Sequence, residues 1–295
     1  MKCGTVTIIG RPNAGKSTLI NSLLKSHALI TSPKPQTTRN AVRCIYNDDD
    51  AQIIFTDTPG LYKPDSRDRL GIFLNDSILD ALEDSDCIIW LTESFTRKLQ
   101  PDDYEIARVL PKKIPVILTV NKSDKADPFA VFTLYDEIFQ FSEKTAVSAK
   151  TKRGLDALIS AVKTHIPEGE AVYDADILMD TTEKFMASEI IREKILLLLR
   201  DEVPHCVAVM IDEYKSPEEY PDRKKLYIRA SLITETEGQK KIIIGAKGAM
   251  IKQIGEASRK AVEDVTGLPV FMDLWVKVVP NWRRNPAALR RLGYS

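Results

Sequence analysis

The chain has 295 residues, 43% of them hydrophobic and 28% charged, a balance that excludes a disordered or fibrous chain and leaves room for two domains of ordinary size. Its 42 basic and 42 acidic residues cancel overall. Locally they do not: residues 174–239 hold 9 basic against 15 acidic, a net of −6, and residues 240–295 hold 11 against 4, a net of +7, so the C-terminal end is a candidate contact for a polyanion. The cysteines Cys3, Cys44, Cys87 and Cys206 and the histidines His27, His165 and His205 show no disulfide-framework or zinc-ligand spacing, and a reducing compartment fits. The longest aliphatic run, Ile195–Leu199, is too short to cross a bilayer, and Met1–Gly4 enters a strand-like segment without a secretory signal. The expectation is a soluble cytoplasmic protein, with surface attachment to a membrane left open.

In chain order, β-rich runs come at Val6–Ile9, Ile53–Thr56, Cys87–Thr92, Val116–Val120 and Thr145–Ser148. Several are apolar almost throughout, as strands buried on both faces are. Helical patterns lie between them; Leu155, Leu158, Ile159 and Val162 form one apolar stripe. This alternation predicts an α/β domain with a mostly parallel sheet and helices on both faces, binding its ligand at the carboxyl ends of the strands. Pro167 and Gly169 stop the last helix of the series. The expected division is a first domain at 1–168, a linker at 169–181 and a second, α+β domain at 182–295. There a helix over Thr182–Arg200 precedes strands at Val207–Asp212 and Leu226–Thr234, with a charged loop holding Pro217 and Pro221 between them. Next come a basic segment, Lys240–Gly248, a helix bearing Ile251, Ile254, Ala261, Val262 and Val265, and a strand at Val270–Val279. By pattern alone Lys241–Ile244 reads as a strand, because it is short and β-branched. Trp275, in an apolar strand, is expected to face the core or a domain interface, and Trp282, beside Arg283 and Arg284, is the better base-stacking candidate.

Four segments carry the chemistry. Gly10-Arg11-Pro12-Asn13-Ala14-Gly15-Lys16-Ser17, followed by Thr18, fits G-x-x-x-x-G-K-[ST] between a strand and a helix. Its backbone N–H groups can cradle phosphates, Lys16 can reach the β- and γ-phosphates, and the Ser17 hydroxyl can bind Mg2+. Asp57-Thr58-Pro59-Gly60 ends a buried strand; Asp57 can hold Mg2+ through water, and Gly60 can offer its N–H to the γ-phosphate. Asn121-Lys122-Ser123-Asp124 ends another strand, and the Asp124 carboxylate can accept from the guanine N1–H and exocyclic amine, a donor pair adenine lacks. Ser148-Ala149-Lys150 follows the last strand, where a backbone N–H can contact the guanine O6. All four fall at carboxyl strand ends in the order a GTPase needs.

With these motifs the chain resembles the translation-factor-like class of small GTPases, and within it the Era family. The stretch Pro35-Gln36-Thr37-Thr38-Arg39 supports this. In the family a threonine of this switch loop closes onto Mg2+ when GTP is bound; position favours Thr38, with Thr37 second. The resemblance implies a P-loop GTPase domain that uses GTP/GDP and Mg2+, with Lys16, Thr38, Gly60 and Asn13 in the hydrolytic machinery. Asn13 stands where potassium-activated GTPases carry an asparagine, so it either helps hold K+ or only braces the loop. Leu61 follows Gly60 where Ras-like enzymes place a water-orienting glutamine. Leucine cannot orient water, which predicts slow intrinsic turnover. In the second domain Ile244-Gly245-Ala246-Lys247-Gly248 carries G-x-x-G with Lys240, Lys241 and Lys252 around it, a loop that lets an RNA backbone approach in KH domains. The element order resembles a type II KH domain, which would make Lys241–Ile244 the end of a short helix. The family further implies binding near the 3′ end of 16S ribosomal RNA, a role in assembly of the small (30S) subunit, and peripheral membrane contact. A membrane-associated signalling GTPase whose basic end binds anionic lipid is the alternative reading, and a GTP-binding module without useful turnover a further one. A monomer is expected.

Overall fold

The computed structural model describes residues 1–32, 34, 37–61, 68–219 and 224–294. Pro35 and Gln36 of the switch stretch and Pro221 of the charged loop lie outside the described residues. The chain divides into two compact units, the first built from residues 1–61 and 71–180, the second mainly from residues 181–294.

The first unit holds a six-stranded sheet in the order β2-β3-β1-β4-β5-β6. Its strands are β1 (Lys2–Gly10), β2 (Val42–Asn47), β3 (Ala51–Asp57), β4 (Cys87–Glu93), β5 (Val116–Asn121) and β6 (Glu143–Ala146). All neighbouring pairs are parallel except β2 with β3. β3 and β5 are buried at every position, which is why their stretches Ile53–Phe55 and Val116–Leu118 read as apolar runs. The helices are α1 (Lys16–Leu24), α2 (Arg69–Glu83), α3 (Pro101–Val109), α4 (Phe129–Asp136) and α5 (Leu155–His165). Ile78, Ile106, Val131 and Tyr135, from α2, α3 and α4, pack on Ile9, Trp90 and Leu118 of the sheet, and Tyr135 meets Trp90 edge-on at 5.3 Å. The α5 stripe of Leu155, Leu158, Ile159 and Val162 is buried as its spacing predicts. β1 lies between β3 and β4, so the chain reverses its direction of sheet growth there and leaves a crevice at the β1 carboxyl end.

Two features differ from the sequence reading. β2 is an additional strand at the sheet edge; Arg43 and Asn47 interrupt its apolar pattern. The last strand, β6, ends at Ala146, so Ser148 stands in the loop beyond it, with its N–H bonded to the Arg153 carbonyl at 2.9 Å. The stretch read as a linker lies along the sheet. Gln52 ties it down, accepting from the N–H groups of Val172 and Tyr173 at 2.7 and 2.9 Å. Ile45 donates to the Leu178 carbonyl at 2.9 Å and Asp180 to that of Arg43 at 3.1 Å, which blunts the open edge of β2.

The second unit has a three-stranded sheet, β7 (Ala208–Lys215), β8 (Leu226–Thr234) and β9 (Val270–Val278), in that order. β7 and β8 are antiparallel with an irregularity between Ile211 and Glu213; β8 and β9 are parallel. A parallel pair needs a crossover, and α7 (Glu237–Ile244) and α8 (Ala249–Thr266) supply it. Together with α6 (Glu183–Leu198) they bury Ile191, Ile195, Ile243, Ile254 and Val262 against Ile228, Ala230, Leu232 and Val270. This is the element order of a type II KH domain. Lys241–Ile244 is the end of helix α7, which starts with a capping box of Thr236 and Gln239. A short C-terminal helix, α9 (Pro286–Arg291), follows.

Candidate functional sites

Strand register brings the four motifs of the first unit together. Ile8 pairs with Asp57, Gly10 with Leu91, Glu93 with Asn121 and Val120 with Ala146, so the loops after β1, β3, β5 and β6 open on one edge of the sheet. The loop between β1 and α1 turns on Gly15, at φ 99°; a Cβ there would stand 2.5 Å from Asn121 Nδ2, so only glycine fits. Lys16 is 7% exposed and curls back over its own loop, donating to the carbonyls of Gly10 (3.0 Å) and Arg11 (3.3 Å). Burial pushes its ammonium below the ordinary lysine value, with Asp57 opposing the shift. Pro12, Asn13, Thr18, Thr31 and Gly60 help line the cleft. The Arg11 guanidinium is fastened to Thr96 (3.0 Å) and to the buried Asp103 (3.4 Å).

Three oxygens meet beside Lys16. Ser17 Oγ donates to Asp57 Oδ2 at 2.7 Å, Thr38 Oγ1 donates to the same oxygen at 3.0 Å, and the two hydroxyls are 3.3 Å apart. Thr37 instead donates to the Lys34 carbonyl at 2.7 Å. Two hydroxyls and one carboxylate are hard oxygen donors, and among the described residues no group of three or more His, Cys, Asp and Glu could hold a metal. Such a set suits Mg2+, which takes few protein ligands and keeps phosphate and water oxygens. Within Asp57–Leu61 the side chains divide: the Thr58 hydroxyl donates to the Ile8 carbonyl at 2.8 Å, Pro59 is buried, and Leu61 is packed in the core with Ile9 and Ile78.

Asn121 joins three of the loops. Its Nδ2 donates to the Ala14 carbonyl at 2.9 Å, and its Oδ1 accepts from the N–H groups of Lys122 (2.7 Å) and Ala149 (3.0 Å). Lys122 donates to the Asn13 carbonyl at 3.0 Å and pairs with Glu93. The Ser123 N–H bonds to the Val147 carbonyl at 3.1 Å. Asp124 is exposed at the rim near Lys150, and Ser148 Oγ donates to its Oδ1 at 2.6 Å. That hydrogen bond holds the Asp124 carboxyl below the usual carboxylate range. The edge thus offers a phosphate cradle at one end and a fixed, charged acceptor at the other.

In the second unit the G-x-x-G loop joins α7 to α8. Gly245 sits at φ 72°, and a Cβ there would be 2.7 Å from the Met250 Cβ and 2.8 Å from its backbone nitrogen. Lys247 and Lys252 are exposed and Ile244 is half-buried beside them. A groove runs on between α8 and β9, lined by Ile251, Lys252, Gly255, Arg259, Met272 and Leu274.

Residues 5–122 match the family of 50S ribosome-binding GTPases and residues 202–283 the KH domain family. The chain is 40% identical to GTPase Era of Halothermothrix orenii, covering 100% of this chain and 99% of that one, and 42% identical to GTPase Era of Leuconostoc citreum, covering 100% and 97%. The chain belongs to the Era family of GTPases. Two solved structures of Era are each 40% identical over the full chain with a TM-score of 0.93: Era of Aquifex aeolicus bound to GDP·AlF4−, and Era in complex with MgGDPNP and nucleotides 1506–1542 of 16S ribosomal RNA.

Against this Era-type frame the structure corrects the reading of both C-terminal tryptophans. Trp282 is 0% exposed; it donates from Nε1 to the Cys206 carbonyl at 3.0 Å and stacks on Tyr294, so it pins the tail to the second unit and cannot receive a base. Trp275 is 57% exposed and does not face that unit's core. Sequence reasoning also missed Glu93 and Ser94 at the end of β4. Glu93 pairs with Lys122, and Ser94 Oγ donates to the Lys122 carbonyl at 2.6 Å. Their position at a carboxyl strand end was the available signal. The groove residues Gly255, Met272 and Leu274 were missed because their meeting depends on how α8 packs on β9.

Proposed function

We propose that this Era-family chain is a cytoplasmic, monomeric switch that binds GTP and Mg2+ in its first unit, hydrolyses the nucleotide slowly, and binds 16S ribosomal RNA near its 3′ end in its second, assisting assembly of the 30S subunit. The observation that carries the reading is the convergence of the loops after β1, β3, β5 and β6 on one sheet edge, clasped by Asn121. Lys16 exchanges its bonds to its own loop carbonyls for phosphate oxygens. Gly60 offers its N–H to the γ-phosphate, and Asp124 with the loop at Ser148–Lys150 selects guanine. Ser17, Thr38 and Asp57 would hold Mg2+, which supplies positive charge against the β- and γ-phosphates. Leu61, committed to the core, leaves the attacking water without a side-chain guide, which keeps turnover slow. Asn13, exposed on the cleft at φ 64°, offers its amide oxygen to K+. Turnover is then faster in KCl than in NaCl at equal ionic strength; equal rates exclude that role.

RNA is favoured over anionic lipid because the exposed lysines flank a glycine loop and a groove. A KH groove of this kind takes about four nucleotides. Calorimetry with GTP and ATP, and filter binding with the 16S segment 1506–1542, test the two halves separately. Gly245→Asp with Gly248→Asp is expected to abolish RNA binding and leave GTP affinity intact. Equal heats for ATP and GTP end the nucleotide reading; RNA affinity unchanged in the double variant ends the groove reading.

A further inference from the structure

The sheet of the second unit carries α6, α7 and α8 on one face; on the other, α9 lies beside Met210, Ile233 and Lys277 at one end and leaves aromatic rings exposed at the other. Along β9 the parity of the strand divides the residues: Met272 and Leu274 turn to α8 and the groove, while Phe271 and Trp275 stand on the opposite face, 55% and 57% exposed. Phe271 pairs in register with Tyr227. Their rings stack with centroids 5.7 Å apart and planes 8° apart, and Arg229 lies over Tyr227 at 5.6 Å. Among the strand residues of this face Arg229 pairs with Asp273 (3.0 Å) and Glu213 (2.7 Å), and Lys277 with Asp212 (3.6 Å), while Arg291 of α9 lies beside Lys277.

We propose that this face stacks the bases of single-stranded RNA that leaves the α8–β9 groove and turns over β9 onto Trp275 and Phe271. The inference rests on the RNA reading of the groove. β9 is the edge strand of its sheet, so only the thickness of one strand separates Leu274 in the groove from Trp275 on the outer face. The chain of a nucleic acid can round that edge without crossing a second strand. Phe271 and Trp275, four residues apart, are about 13 Å apart along the strand, which suits two separated bases. Flat aromatic rings accept bases of any sequence through their π-faces.

The three tryptophans make the test direct. Trp90 and Trp282 are 0% exposed, so acrylamide quenching of the intrinsic fluorescence of the full chain reports Trp275. The 16S segment 1506–1542 is expected to protect Trp275 from quenching; a strand of about four nucleotides, which fills only the groove, is not. Trp275→Ala should weaken binding of the long RNA about tenfold, the size of one lost base stack, without changing the slope of affinity against salt, and Trp275→Phe should recover most of the loss. Lys247→Ala and Lys252→Ala, by contrast, should flatten the salt slope. If Trp275→Ala binds the long RNA with the parent's affinity while the Gly245→Asp, Gly248→Asp variant loses it, the stacking face is refuted and the groove stands. If the parent binds no RNA, both are refuted. Protection of Trp275 by phosphatidylglycerol vesicles or by raised protein concentration, with none from RNA, assigns the face to another occupant and also overturns the proposal.

Discussion

Replacing Asn121 with alanine is expected to destabilise the first unit before any nucleotide binds. The residue is 2% exposed, and its partners Ala14 and Ala149 are 1% and 3% exposed, so water cannot take its place. Truncation orphans the Ala14 carbonyl and the Ala149 N–H, and each buried unsatisfied group costs about 1–3 kcal/mol. The half-buried Lys122 N–H loses its partner too but lies nearer solvent. A loss of about 3 kcal/mol is the central expectation. For a unit of this size it lowers the melting midpoint by about 6–12 °C. Scanning calorimetry of the nucleotide-free full chain measures the shift. Asp124→Ala is the control: it removes an exposed carboxylate, so GTP binding should vanish while the nucleotide-free transition stays in place. Should Asn121→Ala melt with the parent when no nucleotide is present, and differ only once GTP is added, then Asn121 is a base contact and not a clasp.

Three further expectations follow from single side chains. Asp124→Asn replaces an acceptor pair with one acceptor and one donor, so GTP affinity should fall by tenfold or more (about 10⁴-fold as an upper range for a site built on such hydrogen bonds) while xanthosine triphosphate, which offers a carbonyl where guanine has its amine, should gain; competition binding reads both. Lys16 is held below 10.5 by burial in the nucleotide-free fold, and phosphate contact raises it again. GTP binding at alkaline pH should therefore take up a proton and weaken as pH rises through the lowered value; calorimetry in buffers of different ionisation enthalpy detects it. By the same linkage the unfolded chain holds more protons on Lys16 between its lowered value and 10.5, so this group's penalty on the nucleotide-free fold shrinks as pH rises through that window. Trp282→Ala should destabilise the second unit by about 3–5 kcal/mol in urea unfolding, against about 0.5 kcal/mol for Trp275→Ala; equal effects would show the burial difference to be without consequence.

The nucleotide motifs were legible because each is a polar cluster that interrupts an apolar strand at its carboxyl end, as Asp57 follows Ile53–Thr56 and Asn121 follows Val116–Val120. β2 was not, since an edge strand with Arg43 and Asn47 in its pattern lacks that contrast. The capping box of Thr236 and Gln239 marks α7 locally; the β-branched run at its end outweighed it in a reading by pattern. Trp282 is buried and Trp275 exposed, against expectation, for two different reasons. The alternation of Val270, Met272, Leu274 and Val276 already puts Trp275 on the other face of β9, but its exposure follows from α9 covering that face only near Ile233 and Lys277, which sequence does not state. Trp282 owes its burial to the Cys206 carbonyl, 76 residues away, and the neighbouring arginines gave the opposite signal.

The fastenings around the nucleotide edge fall into two kinds, and the difference says which parts can respond to the ligand. Asn121 to Ala14 and Ala149, Lys122 to Asn13, and Ser94 to Lys122 join loop to loop through main-chain groups; apart from the Ala149 N–H, which belongs to the loop read against the guanine O6, none involves an atom assigned to phosphate, base or metal, so these can persist in every state. The bonds of Ser17 and Thr38 to Asp57 are different. There each hydroxyl donates its proton to the carboxylate and keeps lone pairs that a cation can take, so the proposed Mg2+ would pull on both hydroxyls and on Asp57 at once. Ser17 rides on the first turn of α1 and can adjust by rotating about one bond. Thr38 belongs to no helix or strand, so nothing regular holds its backbone when its hydroxyl lets go of Asp57. The loop at Thr38 is therefore the element whose position should track the nucleotide. Thr38→Ala, which removes the Asp57 contact in both states, should shrink the difference in hydrogen exchange of residues 37–40 between the GDP-bound and GTP-analogue-bound chain while leaving the exchange of Ala14 and Ala149 unaltered. An undiminished difference at residues 37–40 would place the responsive contact elsewhere.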